Sequence, residues 1–222
     1  METDANLKQQ VTNELKWEPS IDASQIGVIV KNGVVTLTGH VDTYAQKISV
    51  EKAVKRVAGV RALAEELEVK IPGKDKRTDE DIALTALNNL KWNSNVPEER
   101  IQLKAEDNWI TLEGQVDWNY QKEAAKKSIA SLPGVRGVTN SIKVAPVVEP
   151  RDVKQQIRSA FKRNANIDAN HVNVRAEGHK VILSGSVQSW AEKKQAEKAA
   201  WSAPGVTNVK NEIEVRIREL TM

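Results

Sequence analysis

The chain has 222 residues, of which 40% are hydrophobic and 28% are charged, with 33 Lys and Arg against 30 Asp and Glu. This balance is typical of a globular protein and excludes a disordered or membrane-embedded chain. The absence of cysteine excludes disulfides, thiol nucleophiles and cysteine-ligated metals, and the net charge of +3 does not by itself indicate a nucleic-acid partner.

The first predicted element is an amphipathic helix that ends near Trp17. Its apolar residues recur at intervals of four, which places them on one helical face: Leu7, Val11 and Leu15. Pro19 follows, and proline disfavours helical conformation in the residue before it.

An antiparallel hairpin is predicted next. Two runs alternate apolar and other residues, as half-buried strands do: Ile26, Val28 and Val30, then Val35, Leu37 and Val41. Asn32-Gly33 between the runs predicts a tight turn, because both positions tolerate positive φ. Gly39 lies on the inward side of the return strand, and we expect the backbone of a helix to approach the sheet closely there.

A second helix and a third strand complete the unit. The helix has one apolar face, formed by Val50, Ala53, Val54 and Val57, and the strand follows through Leu67, Val69 and Ile71. Gly59 is predicted to cap the helix at its C-terminus. The order αββαβ predicts two helices on one face of the sheet, and the helical crossover allows the last strand to pair in parallel.

The same frame recurs twice more. The string VVTLTGHV returns as WITLEGQV and KVILSGSV, and the hairpin turns become Asp107-Asn108 and Gly178-His179. Two glycines keep their places in every copy: Gly39, Gly114 and Gly185, then Gly59, Gly134 and Gly205. We therefore predict an α+β protein of three tandem αββαβ domains, each a three-stranded mixed sheet with two helices on one face. The domains are the first copy (1–71), the second copy (79–145) and the third copy (151–222).

The repeated frame is V-x-L-x-G-x-V, then a helix rich in Ala and Lys, then Gly-Val and a final Ile or Val strand. It resembles the BON (bacterial OsmY and nodulation) domain, and the resemblance covers nearly the whole chain three times. It implies the αββαβ fold and a non-enzymatic protein associated with the cell envelope and with osmotic or other stress. It also implies that the domains bind phospholipid or a similar envelope surface.

No catalytic or metal-binding motif accompanies the repeat. The histidines, His40, His171 and His179, have unlike counterparts in the other copies, and we interpret them as ordinary surface or turn residues. A metal site needs several convergent ligands, and neither HxH, HExxH nor a glycine-rich phosphate-binding motif occurs. We expect no enzyme activity, no cofactor and no metal, and an active site assembled between copies is the open alternative.

Positive charge is concentrated in the third copy. Residues 151–222 contain 13 Lys and Arg against 8 Asp and Glu, whereas residues 1–71 have a net charge of −1 and residues 79–144 one of −2. On its second helix a stripe of aromatic and basic residues is predicted to be exposed: Trp190, Lys194 and Trp201, flanked by Lys193, Glu197 and Lys198. Exposed Trp beside Lys suits an anionic membrane interface. The alternative is that these tryptophans cover a neighbouring copy or a second subunit.

Other aromatic residues are weaker candidates. Trp109 lies on the outward side of its strand, and Trp118 and Tyr120 lie where the second helix of the second copy begins. Trp17 and Trp92 occupy matching positions at the ends of two first helices, and we predict that they serve packing.

Two functions compete. The first is a peripheral module that binds anionic phospholipid, and the second is a self-assembling scaffold or homo-oligomer that supports envelope integrity or passage of small solutes. Nucleic acid is disfavoured, because Lys on the second helix of the third copy alternate with Glu. The opening METDANLKQQVTNELK lacks the features of a secretory signal, which predicts a cytoplasmic location. The family resemblance favours the periplasm or envelope instead.

Overall fold

The computed structural model describes residues 3–73, 76–145, 152–163 and 171–216. The first copy contains α1 (Asp4–Trp17), β1 (Ile26–Lys31), β2 (Val34–Val41), α2 (Tyr44–Arg56) and β3 (Ala62–Val69). The second contains α3 (Asp79–Trp92), β4 (Ile101–Glu106), β5 (Trp109–Val116), α4 (Asn119–Ala130), β6 (Gly137–Asn140) and β7 (Lys143–Val144). The third contains α5 (Val153–Arg163), β8 (Val172–Glu177), β9 (Lys180–Val187), α6 (Trp190–Trp201) and β10 (Asn208–Val215). The predicted α+β fold with three tandem αββαβ domains is confirmed.

Each sheet has the return strand of the hairpin at its centre. The strand orders are β1-β2-β3, β4-β5-β6 and β10-β9-β8, and β7 continues the last strand of the second copy along β5. The hairpin pairs are antiparallel. β6 and β10 pair in parallel with their central strands, as the helical crossover predicts.

The helices bury the faces that their periodicity indicates. The buried residues of the three first helices are Leu7, Val11 and Leu15; Ile82, Ala86 and Leu90; and Val153, Ile157 and Phe161. In the second and third copies these side chains join the inward residues of the strands in one core cluster each. Removing such a buried side chain to the β-carbon typically costs about 2–5 kcal/mol.

An aspartate at the start of the first helix holds the hairpin turn in two copies. Asn32 and Gly33 have φ of 52° and 75°, as a tight two-residue turn requires. Their backbone N–H groups donate to the Asp4 carboxylate at 2.7 and 3.1 Å. In the second copy the N–H groups of Asp107 and Asn108 donate to Asp79 at 2.9 and 2.8 Å.

The first of the two repeated glycines has no room for a side chain in any copy. Gly39, Gly114 and Gly185 have φ of 108°, 131° and 114°. A β-carbon on them would lie 2.0–2.2 Å from a backbone carbonyl oxygen of the segment entering the neighbouring strand: Gln25, Arg100 and His171 respectively. A close backbone approach therefore exists, and in the first two copies the carbonyl belongs to the last residue of a short 3-10 helix, Ala23–Gln25 or Glu98–Arg100, and not to one of the α-helices. Gly59, Gly134 and Gly205 follow the second helices with φ of 94°, 86° and 83°, the left-handed conformation of helix-ending glycines.

The chain divides into two compact units. The first unit comprises Met1–Val41, Gln46–Glu68 and Pro150–Met222, as far as these are described, and so joins the first and third copies. The second unit comprises Asp42–Ala45 and Val69–Glu149. Within the described ranges, none of the helices combines the length and apolar character that crossing a bilayer requires.

Candidate functional site

On the first helix of the third copy every charged residue is basic. Helix α5 has four cationic residues and no acidic one, and all four are exposed: Lys154, Arg158, Lys162 and Arg163. The first three recur at intervals of four and therefore form one stripe. The matching helices differ, since α1 has two Lys against two acidic residues and α3 has one Lys against three. The excess positive charge of the third copy is visible in the sequence, but α5 was not predicted as a basic surface.

Helix α6 packs beside α5 and extends the basic surface. Lys194 and Lys198 are exposed, as predicted from the helical stripe. Lys193 is partly buried instead, and its ammonium group donates to the Ile213 carbonyl at 2.7 Å. The four cations of α5 form, together with Lys194 and Lys198, the surface called the basic face.

The expectation that Trp190 and Trp201 are both exposed is wrong, because each is half-buried. Trp201 packs against the core of the third copy. Trp190 instead contacts the first copy, within the first unit, where its indole N–H donates to the Val60 carbonyl at 2.9 Å. The ammonium groups of Lys55 and Lys193 lie 5.6 and 5.1 Å from its ring centre, within cation–π range. Trp190 therefore covers a neighbouring copy, which is the alternative to an exposed membrane-binding ring.

A cleft of about 340 Å³ adjoins this contact inside the first unit. Its lining residues are Glu51, Lys55, Arg61, Ala62, Leu63, Glu65 and Trp190. The Oε1 atom of Glu65 is shielded from solvent and has no hydrogen-bond partner among the described residues. Burial raises the pKa of Glu65 above its usual value; Lys47 and Lys55 oppose the increase and Glu51 adds to it.

The second-copy candidates do not form one cluster. Trp109 lies on the open face of the sheet, half-exposed, with its indole N–H donating to the Thr139 hydroxyl at 2.8 Å and its ring against Gly137. Trp118 is at the N-cap of α4 and Tyr120 is exposed in its first turn, both in the helical layer on the other face.

The prediction that Trp17 and Trp92 serve packing is wrong, since 84% and 87% of their surfaces are exposed. Each lies two residues past a buried leucine, Leu15 or Leu90, and so about 200° around the helix from the buried face. That spacing was a usable signal in the sequence. Leu84 and Leu87 are also exposed on α3.

The histidines do not converge on a metal-binding arrangement. His179 lies in the hairpin turn of the third copy, with Nδ1 2.6 Å from the Gly205 carbonyl oxygen. Across the described part of the chain, no three or more His, Cys, Asp or Glu side chains are grouped as metal ligands would be.

Comparison with known proteins gives a consistent family match. The model of the BON domain matches residues 3–71, 78–146 and 151–217. The osmotically-inducible protein Y of Escherichia coli strain K12 is 28% identical over 144 residues, which are 63% of this chain and 72% of that protein.

Two solved structures of CdsD, a structural protein of the type III secretion system of Chlamydia trachomatis, also align. One is 15% identical with a TM-score of 0.25, covering 96% of this chain and 94% of that one. The other, its C-terminal domain, is 13% identical with a TM-score of 0.26, covering 96% and 99%. Scores at this level do not establish a shared arrangement.

Proposed function

Since the chain belongs to the BON domain family, whose model matches three consecutive stretches over most of its length, we propose that it is a stress-linked envelope protein that binds anionic phospholipid. The binding surface is the basic face of the third copy. The BON family is non-enzymatic, and the protein acts by attachment rather than by catalysis. The link to osmotic stress rests on the name of the Escherichia coli relative.

The observation that carries this proposal is the concentration of exposed cations on α5 without an acidic residue among them. A Lys or Arg near an anionic membrane surface contributes about 1 kcal/mol. The four cations of α5 with Lys194 and Lys198 therefore supply roughly 4–6 kcal/mol, which corresponds to dissociation constants of about 1 to 0.05 mM. This is reversible, peripheral attachment, and it weakens with salt because screening acts over about 10 Å at 0.1 M ionic strength.

A charge-matched comparison tests the surface. The variant Lys154→Gln, Arg158→Gln, Lys162→Gln removes the stripe, and the control Lys8→Gln, Lys16→Gln, Lys91→Gln removes three exposed cations from the other copies. Co-sedimentation is measured with phosphatidylcholine vesicles, with and without phosphatidylglycerol. We expect the α5 variant to bind the anionic vesicles on the order of 100-fold more weakly, at about 1 kcal/mol per cation, and the control to bind nearly as the wild type does.

Equal losses in the two variants contradict the site, because net charge alone then accounts for binding. Unchanged binding by the α5 variant contradicts it as well. Stronger, α5-dependent binding to a DNA duplex than to the anionic vesicles identifies nucleic acid as the partner instead.

A second candidate function is self-assembly, which the exposed apolar residues of α3 favour. Leu84, Leu87 and Trp92 are all exposed on that helix, and large exposed apolar side chains mark protein interfaces. Light scattering tests this candidate: a concentration-dependent mass that Trp92→Ala abolishes supports it, and a monomer at every concentration removes it.

A further inference from the structure

The third copy docks on the first through a contact that joins distant parts of the chain. Trp190 and Val60 are 130 residues apart, and the indole of the former donates to the carbonyl of the latter. Two cations, one from each copy, flank the ring: Lys55 and Lys193. This contact covers an aromatic ring that lies beside Lys193 and four residues before Lys194, at the margin of the basic face.

Glu65 in the adjoining cleft departs from the other two copies. It lies six residues after Gly59, and the same offset from Gly134 and Gly205 gives Asn140 and Asn211. The amide groups of these asparagines donate to the helix carbonyls of Lys122 and Lys193 at 2.8 and 3.2 Å. Their side-chain oxygens accept from the N–H of Ile142 and Ile213. An ionised carboxylate at this register position has no N–H with which to reach the helix.

The charged groups around Glu65 do not replace the hydrogen bond to the helix that the asparagines make in the other copies. On α2, Glu65 faces Lys47, Glu51 and Lys55. Arg61, just before β3, lines the same cleft. Lys193 of the third copy lies against the ring of Trp190, which also lines the cleft. Lys47 donates to the Leu67 carbonyl at 2.8 Å, and Lys55 is paired with Glu51. Both nearby lysines of α2 bond to other groups, and the shielded oxygen of Glu65 has no donor among the described residues.

We propose that protonation of Glu65 controls the docking of the third copy on the first. With the carboxyl neutral, the third copy stays docked and Trp190 stays covered. With the carboxylate ionised, the contact opens and exposes Trp190 beside Lys193 and Lys194.

The direction follows from solvation. An ionised carboxylate with one oxygen shielded from water and no hydrogen bond is disfavoured, whereas the protonated group carries an O–H donor at a register where the other copies donate to a helix carbonyl. Undocking gives the shielded oxygen access to water. Low pH therefore favours the docked state, and the docked population falls as the pH rises from the usual pKa of 4.5 through the folded-state pKa of Glu65, which burial raises.

The covered tryptophan gives a direct readout in the full-length chain. Hydrogen exchange of the Trp190 indole N–H is followed by NMR, with its resonance assigned through Trp190→Phe. The Trp109 indole, bonded to Thr139 within the second copy, serves as an internal reference for the chemical pH dependence of exchange. Glu65→Asn introduces the residue that the other copies carry, and Glu66→Gln is the control at the exposed neighbouring position.

In the wild type we expect the ratio of the Trp190 to the Trp109 exchange rate to rise with pH. The rise amounts to about tenfold for each unit by which the pKa of Glu65 differs between docked and undocked states. The ratio should stay constant in Glu65→Asn and rise as in the wild type in Glu66→Gln. A constant ratio in the wild type, or an undiminished rise in Glu65→Asn, overturns the proposal.

The consequence for membrane attachment rests on the proposed function. Undocking of the third copy adds Trp190 to the basic face. The wild type should therefore bind anionic vesicles more tightly than Glu65→Asn does as the pH rises. The exchange experiment contains no membrane. If the exchange ratio depends on pH but the protein does not bind vesicles, the proposed lipid function is wrong and the control of docking by Glu65 still holds.

Discussion

Replacing one glycine in the third copy by alanine should remove a large part of the stability of that copy. At Gly185 the new β-carbon would lie 2.1 Å from the His171 carbonyl oxygen, at a φ of 114° that L-residues rarely adopt. That conformation costs about 1–3 kcal/mol. The His171 carbonyl must also move, which weakens its bond from the Ser186 N–H at 3.1 Å and costs about 1 kcal/mol more.

The expected loss of about 3 kcal/mol is large for a small domain, since about 70 residues at 0.05–0.15 kcal/mol each give roughly 4–10 kcal/mol of total stability. Gly178→Ala is the matched control: its φ is 55°, and nothing lies within 4 Å of the added atom. It carries only the left-handed strain of about 1 kcal/mol and no clash.

Hydrogen exchange of the β9 amides, measured by mass spectrometry on the full chain, reports the local opening free energy. Gly185→Ala should lower protection by on the order of 100-fold and Gly178→Ala by less than about 5-fold, at 1.4 kcal/mol for each factor of ten. Equal effects of the two substitutions would refute the steric argument.

Three further outcomes are expected in urea unfolding. Asp79→Ala removes the acceptor of two turn N–H groups and should cost about 1–2 kcal/mol, with Asp79→Asn between it and the wild type because one oxygen remains. Glu65→Asn should stabilise the first unit at neutral pH. Because the folded-state pKa of Glu65 is raised, the stability linked to its proton is complete below the usual pKa of 4.5 and is lost as the pH rises through the raised value, so the gain should vanish in acid. Trp190→Phe keeps a ring but loses the donor to Val60, and should cost about 1 kcal/mol in the first unit; no change would show that this hydrogen bond adds no net stability.

The sequence predicts those features of the fold that depend on neighbours within one copy. Leu7, Val11 and Leu15 recur with the helical period, and all three are buried where that period places them. Asn32 and Gly33 tolerate positive φ, and both adopt it in the turn. Such patterns are local, so a single sequence contains them. The close approach of a helix backbone to Gly39 was predicted, but not that a short 3-10 helix makes it, because strand alternation indicates a side of the sheet and not the positive φ that turns this glycine toward the carbonyl of Gln25.

The arrangement of the candidate site was less predictable, because it depends on contacts between copies. Nothing near Trp190 in the sequence indicates that the carbonyl of Val60 accepts from its indole, and the helical stripe therefore suggested exposure. Glu65 lines the cleft beside this contact. One clue was nevertheless present: at the matching position the other copies have Asn140 and Asn211, and a change from amide to acid in only one repeat marks an altered environment.

The separation in sequence between bonded residues has a consequence for the order of folding. The aspartate-to-turn hydrogen bonds of the first and second copies join residues only 28 or 29 positions apart, whereas the bond from Trp190 to Val60 spans 130. A chain emerging from the ribosome can therefore complete the first and second copies before the tryptophan has been synthesised. Assembly of the first unit is then a late, post-synthetic event, and a truncated or stalled chain that ends before α6 presents an empty acceptor surface on an otherwise finished domain.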